Sequence, residues 1–134
     1  MKTHKHYLEL VEEIRSLVDA INFGTSLVIV EGQNDEAALR EFGLKTPVLK
    51  FRGTGHSEAL FIDEVSQDYR GRSVAVILDF DEEGTRMADR ISRELEERGV
   101  KIQHYFRRKL KEILLREGVR HVEEIRAIKQ KALS

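Results

Sequence analysis

The stretch SVAVILDFDEEGT, residues 73–85, joins an unbroken apolar run to four acidic side chains within five residues. The run is short, rich in β-branched residues and free of helical periodicity, so it reads as a strand buried on both faces. An amphipathic helical pattern, EGTRMADRISRELEERG (83–99), follows at once and closes at Gly99. A fold containing this unit must pack a helix against a sheet and bring Asp79, Asp81, Glu82 and Glu83 to the point where the strand ends.

The rest of the chain repeats the alternation. SLVIVEG (26–32) is a second buried strand, ending at Glu31 and Gly32, and NDEAALREFG (34–43) is a capped helix. PVLKF (47–51) is a short strand and SEALFIDEVSQDY (57–69) a helix. VKIQHYF (100–106) alternates in polarity, as a strand near a sheet edge does. An N-terminal helix over 5–21 and two C-terminal helices within 107–132 flank this core of about residues 26–106. Alternating strands and helices predict one α/β domain over 1–134, with about four mostly parallel strands and right-handed crossovers.

Composition narrows the function classes. The 134 residues carry a net charge of −1 and no cysteine, which excludes disulfides and thiolate metal sites. No apolar run is long enough to span a bilayer, and the opening MKTHKHYLELVEEI turns acidic too soon for a signal peptide. The expected location is therefore cytoplasmic, with no membrane partner. Charge is unevenly spread: residues 1–100 sum to −7 and residues 101–134 to +6. That asymmetry suits a polyanion on one face and a metal ion on another.

In parallel sheets, ligands gather beyond the carboxyl ends of the strands near a topological switch point. Glu31 and the pair Asp79/Asp81 both stand at such ends. Side chains at i and i+2 of an extended segment point the same way, so Asp79 and Asp81 converge if the strand runs on through Phe80. Two adjacent carboxylates repel unless a cation compensates, and Mg²⁺ is the natural one, with Mn²⁺ the alternative. Glu83 offers a third oxygen and Gly84 lets the backbone turn, while Glu82 reads as an ordinary acid complementing a helix N-terminus.

VEG at 30–32 followed by DFD at 79–81 resembles the Toprim domain of topoisomerases, bacterial-type primases and OLD-family nucleases. DFDEEG further resembles the Asp-x-Asp-x-Glu-Gly form of type IA topoisomerases, and VEGQNDEAAL resembles ribonuclease M5 and small stand-alone Toprim proteins. The resemblance implies a Rossmann-like Toprim fold. It implies that Asp79 and Asp81 coordinate Mg²⁺, that Glu83 is a candidate ligand, and that Glu31 is a general acid or base or a further ligand. Asp35 matches an acidic position of the first motif and would support Glu31, as would Gly32.

Secondary candidates are Arg52 and His56 in the loop FRGTGHS, and the basic run of Arg107, Arg108, Lys109, Lys111 and Arg116. Arg52, Arg107 and Arg108 are the candidates for holding phosphate or nucleic acid, and His56 ranks below Glu31 as a proton carrier. No topoisomerase tyrosine domain or further primase part accompanies the motifs. Two readings follow. One is a Mg²⁺-dependent nuclease acting on RNA or DNA, with RNA maturation as its setting. The other is a non-catalytic module that binds nucleic acid or other nucleic-acid-processing proteins within a larger complex.

Overall fold

The computed structural model describes residues 2–53, 55 and 57–134. Among them, four strands alternate with helices: α1 (His4–Gly24), β1 (Leu27–Val30), α2 (Gln33–Glu41), β2 (Val48–Lys50), α3 (Glu58–Tyr69), β3 (Ser73–Val76), α4 (Glu82–Glu97), β4 (Lys101–Ile102) and α5 (His104–Leu115). A 3₁₀ turn over Val122–Glu124 then leads into α6 (Ile125–Leu133). The strand order is β2-β1-β3-β4, and every pairing is parallel. From β1 the chain moves outward to β2, then returns to place β3 on the other flank of β1. The reversal puts the switch point between β1 and β3, the two strands that carry the acidic motifs.

Burial on both faces explains the composition of the central strands. All four residues of β1 are buried, and their side chains alternate between two cores. Val28 and Val30 face a layer with α1, α2, α5 and α6, which includes Ile14, Leu39, Leu110 and Ile128. Leu27 and Ile29 face α3 and α4, through Ile62, Val65, Ile91 and Leu95. Replacing a fully buried Ile29 by alanine removes transfer energy and leaves a cavity, a loss of about 2–5 kcal/mol.

Local signals set the element ends. Thr3 caps α1 by accepting the His6 N–H, and Ser57 caps α3 by accepting the Leu60 N–H. Gly99, at φ 91°, stops α4 by taking a left-handed conformation that other residues avoid.

Two expectations are revised. The predicted strand 100–106 holds only Lys101–Ile102, because His104 already opens α5. There Phe106, Leu110, Ile113 and Leu114 fall on one helical face that the core buries, and that period overrides the strand-like alternation. Strand β3 also stops at Val76, three residues before Asp79, although Ile77 still donates its N–H to Ile29 O at 2.7 Å. Asp79 and Asp81 therefore do not meet through a continued strand.

Candidate metal centre

The aspartates converge by another route. Asp81 leaves the sheet as the N-cap of α4, its Oδ1 accepting the Gly84 N–H at 2.7 Å. This close turn excludes a side chain at Gly84, where a Cβ would lie 2.4 Å from the Asp79 carbonyl oxygen and 2.9 Å from Asp81 Oδ1. Asp79 is held from the opposite side by the C-terminal segment. Val122 N–H donates to its Oδ1 at 2.8 Å, and His121 Nδ1 lies 3.1 Å from its Oδ2. The same Nδ1 is 4.0 Å from Asp81 Oδ2. Phe80, between the aspartates, is buried and donates its N–H to Arg120 O at 2.7 Å, which ties the turn to the segment that carries His121.

Asp79, Asp81 and His121 thus present one ligand atom each, all within 4.8 Å of one another. An ion bound at about 2.1 Å needs donors no more than roughly 4.2 Å apart, so small side-chain rotations suffice to enclose one. Two carboxylates and an imidazole suit a divalent cation.

Glu31 stands beside this group. Past β2, Phe51 and Arg52 continue the ladder by donating their N–H groups to Val30 O and Glu31 O at 2.8 Å. That register sets Arg52 alongside Glu31, with Nε 2.9 Å from Glu31 Oε1. Arg52 Nη2 also reaches Glu83 Oε1 at 3.3 Å, so one guanidinium bridges two glutamates at the mouth. Burial raises the pKa of Glu31 above its ordinary value. Arg52 opposes the shift, while the charges of Asp79 and Asp35, and the Asp79 carboxylate within hydrogen-bonding reach, add to it.

Asp35 is buried in the first turn of α2, where its Oδ2 accepts the Gly32 N–H at 3.1 Å. Its pKa is likewise raised, first by burial and then by the charges of Asp79 and Glu123, against the Gly32 hydrogen bond. His121 shifts up too, chiefly through its hydrogen bond to Asp79. Two adjoining pockets share Glu31, Arg52 and Asp79: one extends over Gly32 and Asp35 to Glu123, the other over Asp81, Glu83 and Gly84 to His121.

The remaining candidates scatter. Arg107 lies behind the acidic turn, donating to Leu78 O at 3.3 Å and Asp79 O at 2.5 Å, with its guanidinium 4.9 Å over the Phe80 ring. Lys109 pairs with Glu112 and Arg116 with Glu13. Arg108 stacks over Tyr105 at 5.8 Å. His56 lies outside the described residues. Sequence reasoning passed over His121 altogether: it sits 42 positions from Asp79, in a segment whose pattern speaks only of helix.

The profile of a family described as Toprim-like matches residues 28–114. A UPF0292 protein of Thermococcus gammatolerans is 29% identical over 133 residues, covering 99% of this chain and 90% of that protein. A UPF0292 protein of Thermoplasma volcanium is 37% identical over 78 residues, 58% of this chain and 63% of the relative. Among solved structures, a putative protein from Aquifex aeolicus is similar in fold, with a TM-score of 0.61 and 24% identity over 87% of this chain and 94% of that one. His121 and Val122 lie beyond the matched segment, yet they hold the aspartate at its centre.

Proposed function

The chain belongs to the Toprim-like family, and on that premise we propose that it carries out metal-dependent phosphodiester chemistry on RNA or DNA, as a nuclease. The observation that carries this reading is the meeting of Glu31, Asp79, Asp81 and His121 at the switch point of the sheet. A pure binding surface has no need of a part-buried glutamate set beside two further carboxylates.

Asp79, Asp81 and His121 hold the ion in this reading. Mg²⁺ fits the carboxylates, and the imidazole extends the choice to Mn²⁺. A divalent ion held by these residues would supply charge neutralisation for a phosphodiester and activation of water. Val122 N–H and the α4 cap fix the two aspartates before substrate arrives, so little reorganisation is needed. Glu31 moves the proton, as burial and the neighbouring acids that raise its pKa make it a better proton acceptor than an ordinary carboxylate. Arg52, more than half exposed between Glu31 and Glu83, exchanges its carboxylate partners for a phosphate oxygen. Glu83 then becomes free to serve as a further oxygen donor, and Asp35 holds the Glu31–Gly32 turn.

The test is cleavage of structured RNA and single-stranded DNA with Mg²⁺, Mn²⁺ or chelator, using wild type, Glu31→Gln and Asp79→Asn. Metal-dependent product lost in both variants supports the reading, and full activity in Asp79→Asn at saturating physiological Mg²⁺ ends it. The Arg52 bridge across the mouth favours a second reading, a non-catalytic module within a larger complex. Metal-dependent binding of nucleic acid without any product would assign that role.

A further inference from the structure

Arg107 also lines a second concavity. It runs between α4 and α5 and has a volume of about 320 Å³, room for a phosphate group and several waters. Thr85 and Asp89 of α4 form one wall, and Arg107, Arg108 and Lys111 of α5 the other. Three cations therefore face one carboxylate.

The pairing of α5's basic residues is uneven. Lys109 is paired with Glu112, and Arg116, just past the helix, with Glu13 of α1. Among the described residues, Arg108 and Lys111 have no carboxylate within ion-pair distance. The helix is 12 residues long and opens without a side-chain cap, because the Gln103 amide donates instead to Ser73 Oγ at 3.1 Å. Tyr105 is 52% exposed and lies against the Arg108 guanidinium, but on the side of α5 that faces α1, outside the cleft. Arg107 connects the two sites, since the same guanidinium that lines this cleft donates to the Asp79 carbonyl.

We propose that the α4–α5 cleft binds the sugar-phosphate backbone of a single-stranded nucleic-acid segment, with Arg108 and Lys111 as its cationic contacts. The inference rests on the reading above that the ligand is a nucleic acid, and it adds where the strand lies relative to the acidic centre. A strand in this cleft passes Arg107 and enters the mouth at Asp79, so the flanking segment is anchored before the scissile phosphate arrives. Cations on one side and a metal centre on the other divide the work between holding the polymer and reacting with it.

The experiment measures binding without chemistry. Fluorescence anisotropy of labelled oligouridylate and oligodeoxythymidylate, in chelator, compares wild type with the Arg108→Ala/Lys111→Ala double variant. Arg108 is exposed and Lys111 half-buried, and circular dichroism checks that the variant is folded. The double variant should bind at least about tenfold more weakly, and the slope of log K against log salt should fall by about 1.4, from roughly 0.7 for each of two lost contacts. Unchanged affinity and slope in the variant, or no binding by wild type, overturns the proposal. Competition by a nucleoside monophosphate as strong as by the oligomer also overturns it, since the cleft would then take a lone phosphate. Cleavage assayed in parallel separates the two claims. Strand binding lost in the double variant, with no metal-dependent product from wild type, leaves the cleft standing and removes the nuclease reading. Cleavage by wild type with unaltered binding by the variant does the reverse.

Discussion

Carboxylates do opposite things at two places in this molecule. On the α3–α4 flank, Glu58 receives two hydrogen bonds from Arg90, at 2.6 and 2.7 Å, and its pKa is lowered, first by those bonds. At the end of β1, Glu31 also has an arginine at 2.9 Å, yet its pKa is raised, because burial and neighbouring acids outweigh the arginine. The contrast shows that an arginine contact alone does not define a stabilising ion pair. What matters is how many other charges the same cavity must hold.

The largest expected effect tests the cation directly. If Asp79 is a ligand as proposed, Asp79→Asn removes a donor oxygen together with the acceptor of His121, and Mn²⁺ binding measured by calorimetry should weaken more than tenfold. Any metal-dependent cleavage should fall by about 10²–10³-fold. In wild type, an ion at a hundred times its dissociation constant should stabilise the fold by about 2.7 kcal/mol, read as a rise in melting temperature that Asp79→Asn abolishes.

Next in size is the turn that carries the aspartates. Gly84→Ala forces a methyl group against the Asp79 carbonyl and should cost about 1–3 kcal/mol in urea denaturation. If stability is unchanged, the close packing of the β3–α4 turn is not what positions Asp79 and Asp81.

Glu31→Gln sharpens the comparison because stability and activity should move apart. A carboxyl whose folded pKa is raised stabilises the fold below its unfolded value near 4.5. That contribution is lost as pH rises through the folded value. In chelator at neutral pH, Glu31→Gln should therefore be more stable than wild type, by less than about 1 kcal/mol, while cleavage is lost. The stability gain should vanish below pH 4.5.

Glu58→Gln is the smallest and has the opposite sign. A lowered pKa means stability present above about 4.5 and lost as pH falls through the folded value. The variant should lose about 0.2–1 kcal/mol at neutral pH, the range for a solvent-screened pair, and nothing at strongly acidic pH. Equal and same-signed effects of Glu31→Gln and Glu58→Gln would erase the distinction between the two regions.

Element order and sheet type were legible in the sequence because both central strands are buried on two faces and have few alternatives to an apolar run. The convergence of the acidic motifs followed from where parallel strands end. The details resisted reading where tertiary contacts decide them. Asp79 and Asp81 meet because Asp81 caps α4 and the C-terminal segment grips Asp79, and neither event leaves a periodic trace. Arg107 belongs to a basic run by composition, but packing turns it inward onto backbone carbonyls. His121 could be found only by folding α6 against α1 and α2, which brings the residues before it over the mouth of the sheet.

The grip of Val122 and His121 on Asp79 sets a limit on modularity. The segment recognisable as a Toprim-like core ends before them, so that core excised or grafted elsewhere would inherit the aspartate without its restraint. Whatever loosens the tail, such as a fusion, a truncation or a bound protein, acts on the candidate metal centre through two peptide hydrogen bonds and one imidazole.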